Sequence, residues 1–383
     1  MKILHTADWH LGRIFHGIHL TEDQSYILQD ILDIALDEQV DVIVIAGDIY
    51  DRAVPPIEAV RLLNEFISKA ALEHGIPVII IAGNHDSPER MGFGSKILER
   101  NSLHIRHTFT KTPEPVLLHD QWGPVEFVPL PFVEPGKAGY LLGDDTISDH
   151  QSALKRAISL YQLSGNRTVA AAHCYTAGNT ESESERPLLI GGEYSVGHTL
   201  FNGFSYTALG HLHRPQKAGA ENIQYSGSIM HYSFDETDHP KSIILCTLDK
   251  EGSVSVRREN LNPKKRIRKI SGSLKELLKG AELNGNETGR NDYLRVHLKD
   301  RGPLFDPLGR LREIYPNILH IERDQSAMTS RAESTSDLRK TSEKKLFQSF
   351  FEQTAGSAMT EEQEKIFTDV IDELNKTIRE GNS

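Results

Sequence analysis

Residues 40–56 read VDVIVIAGDIYDRAVPP. The β-branched run before Gly47 reads as a strand, and Asp48 stands just past its C-terminal end. Pro55 and Pro56 open a helix in which Val60, Leu63, Ile67 and Ala70 make an apolar stripe, and Gly75 ends it. Upstream, KILHTA is a first strand. Thr21 and Gln24, three residues apart, form a capping box for the helix YILQDILDIAL, whose Ile27, Ile31 and Ile34 recur at helical spacing. Downstream, PVIIIA is a third strand. Alternating apolar runs and amphipathic helices predict an α/β or layered mixed sheet. Beyond it come shorter runs, VEFVPLP, TVAAAHC, YTALGH, IQYSGS and SIILCTL, separated by turn-rich or charged loops.

With 383 residues the chain exceeds one comfortable core, so a large domain with smaller modules is expected. The divisions fall at 1–262, 263–325 and 326–383. In the second, the basic stretch KKRIRK (Lys264, Lys265, Arg266, Arg268 and Lys269 with Ile267 among them) starts a pattern of strand, helix, strand, helix, strand. Asp324 to Lys340 are polar and Ser/Thr-rich, as linkers are. Two amphipathic helices follow, one around Leu346, Phe347, Phe350 and Phe351, the other around Ile366, Phe367, Val370, Ile371 and Leu374. Both cysteines, Cys174 and Cys246, sit in apolar runs, which predicts buried thiols in a reducing compartment. No leader pattern and no apolar run of membrane-spanning length are found, so a cytoplasmic protein is expected. The net charge of −11 argues against a stand-alone nucleic-acid binder, unless local basic clusters, bound cations or a partner supply positive charge.

Chemistry concentrates in five segments: Asp8-Trp9-His10, Gly47-Asp48-Ile49-Tyr50-Asp51, Gly83-Asn84-His85-Asp86, Ala172-His173 and Gly210-His211-Leu212-His213. Each lies at the C-terminal end of an apolar strand, the edge where layered α/β folds gather functional side chains. Singly, each has a modest reading: Asp8 and Asp48 as caps or turn residues, Asn84 as a turn residue, His173 as a satisfied core histidine. Five together point to metal binding. Mixed carboxylate, amide and imidazole donors without thiolate favour Mn²⁺, Fe²⁺ or Mg²⁺ over a thiolate zinc site. Two cations about 3.5–4 Å apart need a shared anionic ligand, and Asp48 is the candidate bridge. His16, His19, His74, His104, His107, His119 and His150 read as surface or loop residues.

In this order the segments resemble the calcineurin-like metallophosphoesterase superfamily, a two-layered β-sandwich flanked by helices. HTADWHLGR, AGDIYDRAVPP, AGNHDSPER, ALGHLHRPQ and YSGSIMHYSFDE are further similar to the SbcD family of nuclease subunits, over residues 1 to about 270. By position, the resemblance implies that Asp8, His10, Asp48 and His213 hold one cation and Asp48, Asn84, His173 and His211 a second. It implies that His85 protonates or stabilises the leaving oxygen, with Asp86 orienting it. Asp51 stands where relatives commonly carry histidine, so no histidine role transfers there.

The implied activity is manganese-dependent DNA phosphodiester hydrolysis, as a single-strand or hairpin endonuclease and a 3′-to-5′ exonuclease in DNA end processing, repair and recombination. The implied partner is the coiled-coil ABC-type ATPase SbcC, docked on the two C-terminal helices. The module after Asn262 would cap the site and select DNA geometry, with KKRIRK touching phosphates. Homodimerisation would use helices within Pro56–Ala71 and Pro88–Arg100, giving a heterotetramer with SbcC. The alternatives are a phosphatase or cyclic-nucleotide phosphodiesterase on the same scaffold, or a non-catalytic scaffold; the latter should have lost a ligand, and none is lost. The acidic loop TAGNTESESERP after His173 reads either as a substrate-entrance lining or as a plain surface loop.

Overall fold

The computed structural model describes residues 1–185, 194–283, 289–300, 304–323 and 343–381. The chain divides into two compact units, Met1–Arg266 and Ile267–Ser383.

The first unit is built on two six-stranded sheets. One runs in the order Val254–Asn260, Ser242–Leu248, Lys2–Thr6, Val42–Ala46, Val78–Ile81 and Leu103–Arg106. Its last four strands are parallel, as the alternation of strand and helix in the sequence requires. The other runs Gln216–Lys217, Ile223–Tyr225, Tyr206–Gly210, Thr168–His173, Gly123–Leu130 and Val116–Asp120. Its four central strands are likewise parallel. Ile3, Val42, Val44, Ile79 and Ile81 meet Phe127, Val169, Ala171, Tyr206 and Ala208 in the core between the sheets. The opposite pleat faces are also buried: Leu4, Ile43, Ile45 and Ile80 on the first sheet, and Val128, Leu130, Ala170, Ala172 and Leu209 on the second. Strands covered on both faces explain why these runs are apolar throughout rather than alternating. The result is the layered α/β arrangement read from the strand pattern and the helix-flanked β-sandwich that the family resemblance implies.

His5 ties the layers across this core. Its Nδ1 lies 2.8 Å from the Tyr206 hydroxyl and its Nε2 3.1 Å from the Leu209 carbonyl. Burial lowers its pKa to about 3, so the ring is neutral and donates from Nε2.

Two local expectations fail for a stated reason. Helix Thr21–Asp37 has Leu20 as its N-cap and no side-chain cap bond, so there is no capping box. Gln24 instead turns away from its own helix end. It donates from Nε2 to the carbonyls of Trp9 and His10 (3.2 and 2.8 Å) and accepts at Oε1 from the Gly12 N–H (3.0 Å). Those groups are buried, and leaving each unpaired would cost about 1–3 kcal/mol, more than a cap returns. In helix Ile57–Ile67 the buried stripe is Ala59, Leu63 and Phe66, while Val60 is exposed. Trp9, fully buried, packs edge-on against Phe66 with ring centroids 4.9 Å apart and fixes which face turns inward.

Cys174 and Cys246 are free and buried, and burial pushes both thiols up to about 12, as inert core thiols should be. Among the described residues no helix is long and apolar enough to cross a membrane. Of the histidines expected at the surface, His150 is buried at the start of helix His150–Ser159, its ring 5.4 Å from that of Phe132.

The seam at Asp120 gives a pH-dependent stability. Arg167 grips its carboxylate through both Nη atoms, one at 2.9 Å, and donates from Nε to the Asp249 carbonyl. The guanidinium holds the Asp120 carboxyl well below the usual range. A depressed folded-state value means that this stabilisation is present above about pH 4 and is lost progressively as the pH falls further. Asp120→Asn is therefore expected to melt several degrees below wild type at neutral pH, with the gap closing below about pH 4. A gap that stays constant through acid melts would refute this.

In the second unit, Ile267–Gly272, Tyr293–Leu298 and Ile318–Arg323 form a parallel three-stranded sheet, with helices Leu274–Leu283 and Pro307–Arg312 between them in sequence. Leu274, Leu294, Val296, Leu298, Leu311 and Ile318 make its core. Two further helices, Glu343–Ala355 and Glu361–Gly381, pair through Phe347 stacked on Phe367 at 3.9 Å, and through Gln348 Nε2 donating to Glu364 at 2.7 Å. Phe350, Ile366 and Val370 stay exposed. The linker expected over 324–340, and the side chains of Leu346 and Leu374, lie outside the described residues.

Candidate metal centre

The five polar segments come from both sheets and converge. Asp8 and His10 leave strand Lys2–Thr6, Asp48 leaves Val42–Ala46, and Asn84, His85 and Asp86 leave Val78–Ile81. His173 ends Thr168–His173, and His211 and His213 follow Tyr206–Gly210. The register places Gly210 beside His173.

Backbone strain marks the spot. Asp8, His10, Asp48 and His211 all take positive φ. Residues that carry a side chain avoid that half of backbone space, at a cost of roughly 1–2 kcal/mol each. This conformation lets residues i and i+2 present their side chains to one point after a strand. The loops are locked by Asp8 N–H to the Gly47 carbonyl and His10 N–H to the Asp48 carbonyl, both 3.0 Å, and by the His211 N–H donating to Asp8 at 2.9 Å.

Asp48 sits at the centre and faces two ways. Its Oδ2 lies 3.7 Å from His10 Nε2, and its Oδ1 lies 3.5 Å from His173 Nε2. On the first side, His10 Nε2 and His213 Nε2 are 3.0 Å apart, and donor atoms of Asp8, His10 and Asp48 lie within 4.8 Å of one another. On the second, Asn84 Oδ1 is 2.9 Å from His173 Nε2 and 3.2 Å from His211 Nδ1. Two donors at right angles on a shell of about 2.1 Å stand about 3 Å apart, so both groupings are dimensioned for a small cation.

The protonation states point the same way. His173 Nδ1 donates to the Ala46 carbonyl at 2.9 Å, which leaves a lone pair on Nε2 facing two oxygens. Among the described residues, His211 Nε2 and His10 Nδ1 are buried without hydrogen-bond partners. Burial pushes the Asp8 carboxyl well above the carboxylate range, and the neighbouring Asp48 charge adds to this. At Asp48 burial pushes upward too, but His173, His85 and His211 outweigh it and hold the group below its ordinary value. Burial lowers His10, His173 and His211 below the ordinary imidazole value. Two buried aspartates ringed by imidazole and amide donors fit divalent cations, and the lack of a thiol among them fits oxygen-preferring metals.

His85 adjoins this donor set, and donor atoms of His85, His10 and Asp51 also lie within 4.8 Å of one another. Its backbone N–H donates to Asp48 Oδ1 at 2.9 Å, and its Nδ1 donates to the Asp51 carbonyl at 2.8 Å, leaving Nε2 turned to the site 3.9 Å from Asp48 Oδ2. The Asp51 main chain, not Asp86, orients this ring. Asp86 accepts from the backbone N–H groups of Ile49, Tyr50 and Gly83 at 3.1, 3.0 and 2.9 Å, and so clips two loops together. Burial, reinforced by Asp48, pushes its carboxyl up to about 6 against those three donors. The Asp51 carboxylate pairs with Arg13 at 2.9 Å, and the guanidinium lies 5.4 Å above the Tyr232 ring.

Lys264, Arg266 and Lys269 are exposed, while Lys265 lies 3.8 Å from Asp23. Arg268 is engaged within its own unit, by Asp292 at 2.6 Å and the Gly289 carbonyl at 2.7 Å.

Several residues that build the site leave little trace in the sequence. A Cβ on Gly210 would stand 1.9 Å from the Ala46 carbonyl oxygen, and one on Gly83 would stand 2.1 Å from Asp48 Oδ1. Behind His213 lie Ser184, Glu185, Glu236 and Lys241, all wholly or largely buried. Ser184 and Glu185 come from the acidic loop after His173, which is thus no plain surface loop. The only signal for Glu236 is its place in YSGSIMHYSFDE; for Ser184 there is none.

Residues 1–215 match the family model described as calcineurin-like phosphoesterase, and residues 263–355 match the one described as type 5 capsule protein repressor C-terminal domain. The chain is 36% identical to the D subunit of the nuclease SbcCD of Staphylococcus saprophyticus subsp. saprophyticus, across 98% of this chain and 100% of that protein. Among solved structures, TT1561 of Thermus thermophilus is 14% identical at a TM-score of 0.36, covering 67% of this chain and 98% of that one. The phosphoesterase YfcE from E. coli is 14% identical at a TM-score of 0.26, covering 68% of this chain and 100% of that one.

Proposed function

Because this chain belongs to the calcineurin-like phosphoesterase family, and is similar along its whole length to the D subunit of an SbcCD nuclease, we propose that it is the DNA nuclease component of an SbcCD-type complex. It hydrolyses DNA phosphodiester bonds, as a single-strand and hairpin endonuclease and a 3′-to-5′ exonuclease, in end processing, repair and recombination in the cytoplasm. Asp8, His10, Asp48 and His213 hold one cation; Asp48, Asn84, His173 and His211 hold the other. Mn²⁺ is the preferred metal. When bound, the two cations supply an activated water and neutralise charge building on the phosphoryl oxygens.

The observation that carries this reading is the two-way Asp48 carboxylate, each oxygen turned to a different imidazole group. His85 is the acid. With Nδ1 committed to the Asp51 carbonyl, its Nε2 is the atom that carries a proton to the departing oxygen. His85→Ala is expected to lower kcat about 100- to 10,000-fold while both cations remain bound. Mn²⁺ titration beside a nuclease assay checks both halves, and loss of a cation in this variant would assign His85 to the ligand set instead.

The helix pair Glu343–Ala355 and Glu361–Gly381 serves as the dock for the SbcC ATPase, its exposed Phe350, Ile366 and Val370 providing the apolar face that a partner helix or groove covers. The exposed Ile57, Val60, Phe93 and Ile97 support homodimerisation through the Pro56–Ala71 and Pro88–Arg100 segments. The basic residues from Lys264 to Lys269 that are exposed touch DNA phosphates, and the module they open caps the site. Linear duplex and hairpin DNA with Mn²⁺, with and without the ATPase and beside a small phosphodiester, tests the whole reading. Hydrolysis of the small ester alone would overturn the nuclease assignment.

A further inference from the structure

Behind His213, on the side away from the other donors, stands a line of buried polar groups. His213 Nδ1 lies 2.5 Å from Ser184 Oγ and 3.4 Å from Glu236 Oε1, and Ser184 Oγ bonds Glu236 Oε1. Glu236 is fully buried, and its other oxygen is held at 2.5 Å by Lys241 Nζ, also buried. Lys241 in turn donates to the His213 carbonyl at 2.8 Å and to Ser228 Oγ at 2.9 Å.

The proton count along this line has one solution. A carboxylate paired with an ammonium only accepts, so Ser184 spends its single proton on Glu236. Its oxygen must then accept from His213, which puts the imidazole proton on Nδ1 and the lone pair on Nε2, 3.0 Å from His10 Nε2. An isolated imidazole is free to choose either tautomer; this one is not.

We propose that Ser184, Glu236 and Lys241 are positioning residues that fix the tautomer and direction of His213, and so set the affinity of one of the two cation positions. Lys241 anchors the carboxylate, the carboxylate orients the hydroxyl, and the hydroxyl orients the ring. The inference rests on the reading of His213 as a metal ligand.

Titration of the metal-stripped full-length chain with Mn²⁺ alone, by calorimetry and electron paramagnetic resonance, tests it. Wild type is expected to take two ions. Ser184→Ala and Glu236→Gln are expected to keep one ion at wild-type affinity and weaken the other about 10- to 100-fold. The metal-free Ser184→Ala chain should melt at most a few degrees below wild type, since only one hydroxyl's bonds are lost, and a merely structural role for that hydroxyl would not predict the selective loss of one ion beside it. The double variant Glu236→Gln with Lys241→Met removes the buried pair together, so neither charge is orphaned, and should weaken the same ion. Wild-type affinity for both ions in Ser184→Ala, the variant least disturbing to the fold, overturns the proposal. Two full-affinity ions in His213→Ala would instead overturn the ligand reading beneath it.

Discussion

Replacing Asp48 with alanine is expected to lower DNA hydrolysis by about 1,000-fold or more and to abolish binding of both cations together. No other single side chain should do so. Asp48 Oδ2 faces His10 and Oδ1 faces His173, so its removal takes an oxygen from each grouping at once. It also removes the one carboxylate placed between the two groupings, which the neighbouring histidines hold below its ordinary value, so the shared anion that offsets two cations about 4 Å apart is lost. By contrast, His10→Ala should cost one cation and Asn84→Ala the other. Calorimetric stoichiometry distinguishes these outcomes, and an Asp48→Ala chain that retains one tightly bound ion would show that the two positions do not share it.

The second large effect is structural. Gly210→Ala places a Cβ 1.9 Å from the Ala46 carbonyl oxygen and 3.0 Å from His173 Nδ1. Neither neighbour can retreat. Ala46 ends a central strand of the first sheet, and its carbonyl is the acceptor that fixes the His173 tautomer. The added methyl must push the sheets apart where they meet, at a cost of about 3 kcal/mol or more. Melting of the variant should fall by roughly 6 °C or more, at about 2 °C per kcal/mol for a unit of this size. A melt within a degree or two of wild type would mean that the strand ends yield more readily than their burial implies.

Legibility follows physical range. The strands are readable because a strand buried on both faces must be apolar along its whole length, as Val42–Ala46 and Val78–Ile81 are. The polar residues just beyond them stand out against that background, and they are the side chains that gather near Asp48. Gln24 misleads because its spacing from Thr21 fits a local cap, while its actual partners, the Trp9 and His10 carbonyls, lie in a different segment. Asp86 misleads for the same reason, adjacency to His85 hiding three backbone donors. Glu236 and Lys241 look like ordinary surface charges until the fold encloses both. Gly210 and Gly83 carry no side chain to signal that another strand end presses against them.

The seven donors gathered near Asp48 are split between the layers, with Asp8, His10, Asp48 and Asn84 leaving one sheet and His173, His211 and His213 the other. Cations lodged among them would add a further join between two layers already held by apolar contact, the His5 cross-tie and the bonds from His173 to the Ala46 carbonyl and from His211 to Asp8. Ion occupancy and cohesion of the layers become the same thermodynamic quantity: at a hundredfold excess over its dissociation constant, each ion would add about 2.7 kcal/mol to the hold of one layer on the other. Scavenging the ions would then do more than silence the enzyme, because it would undo that further join.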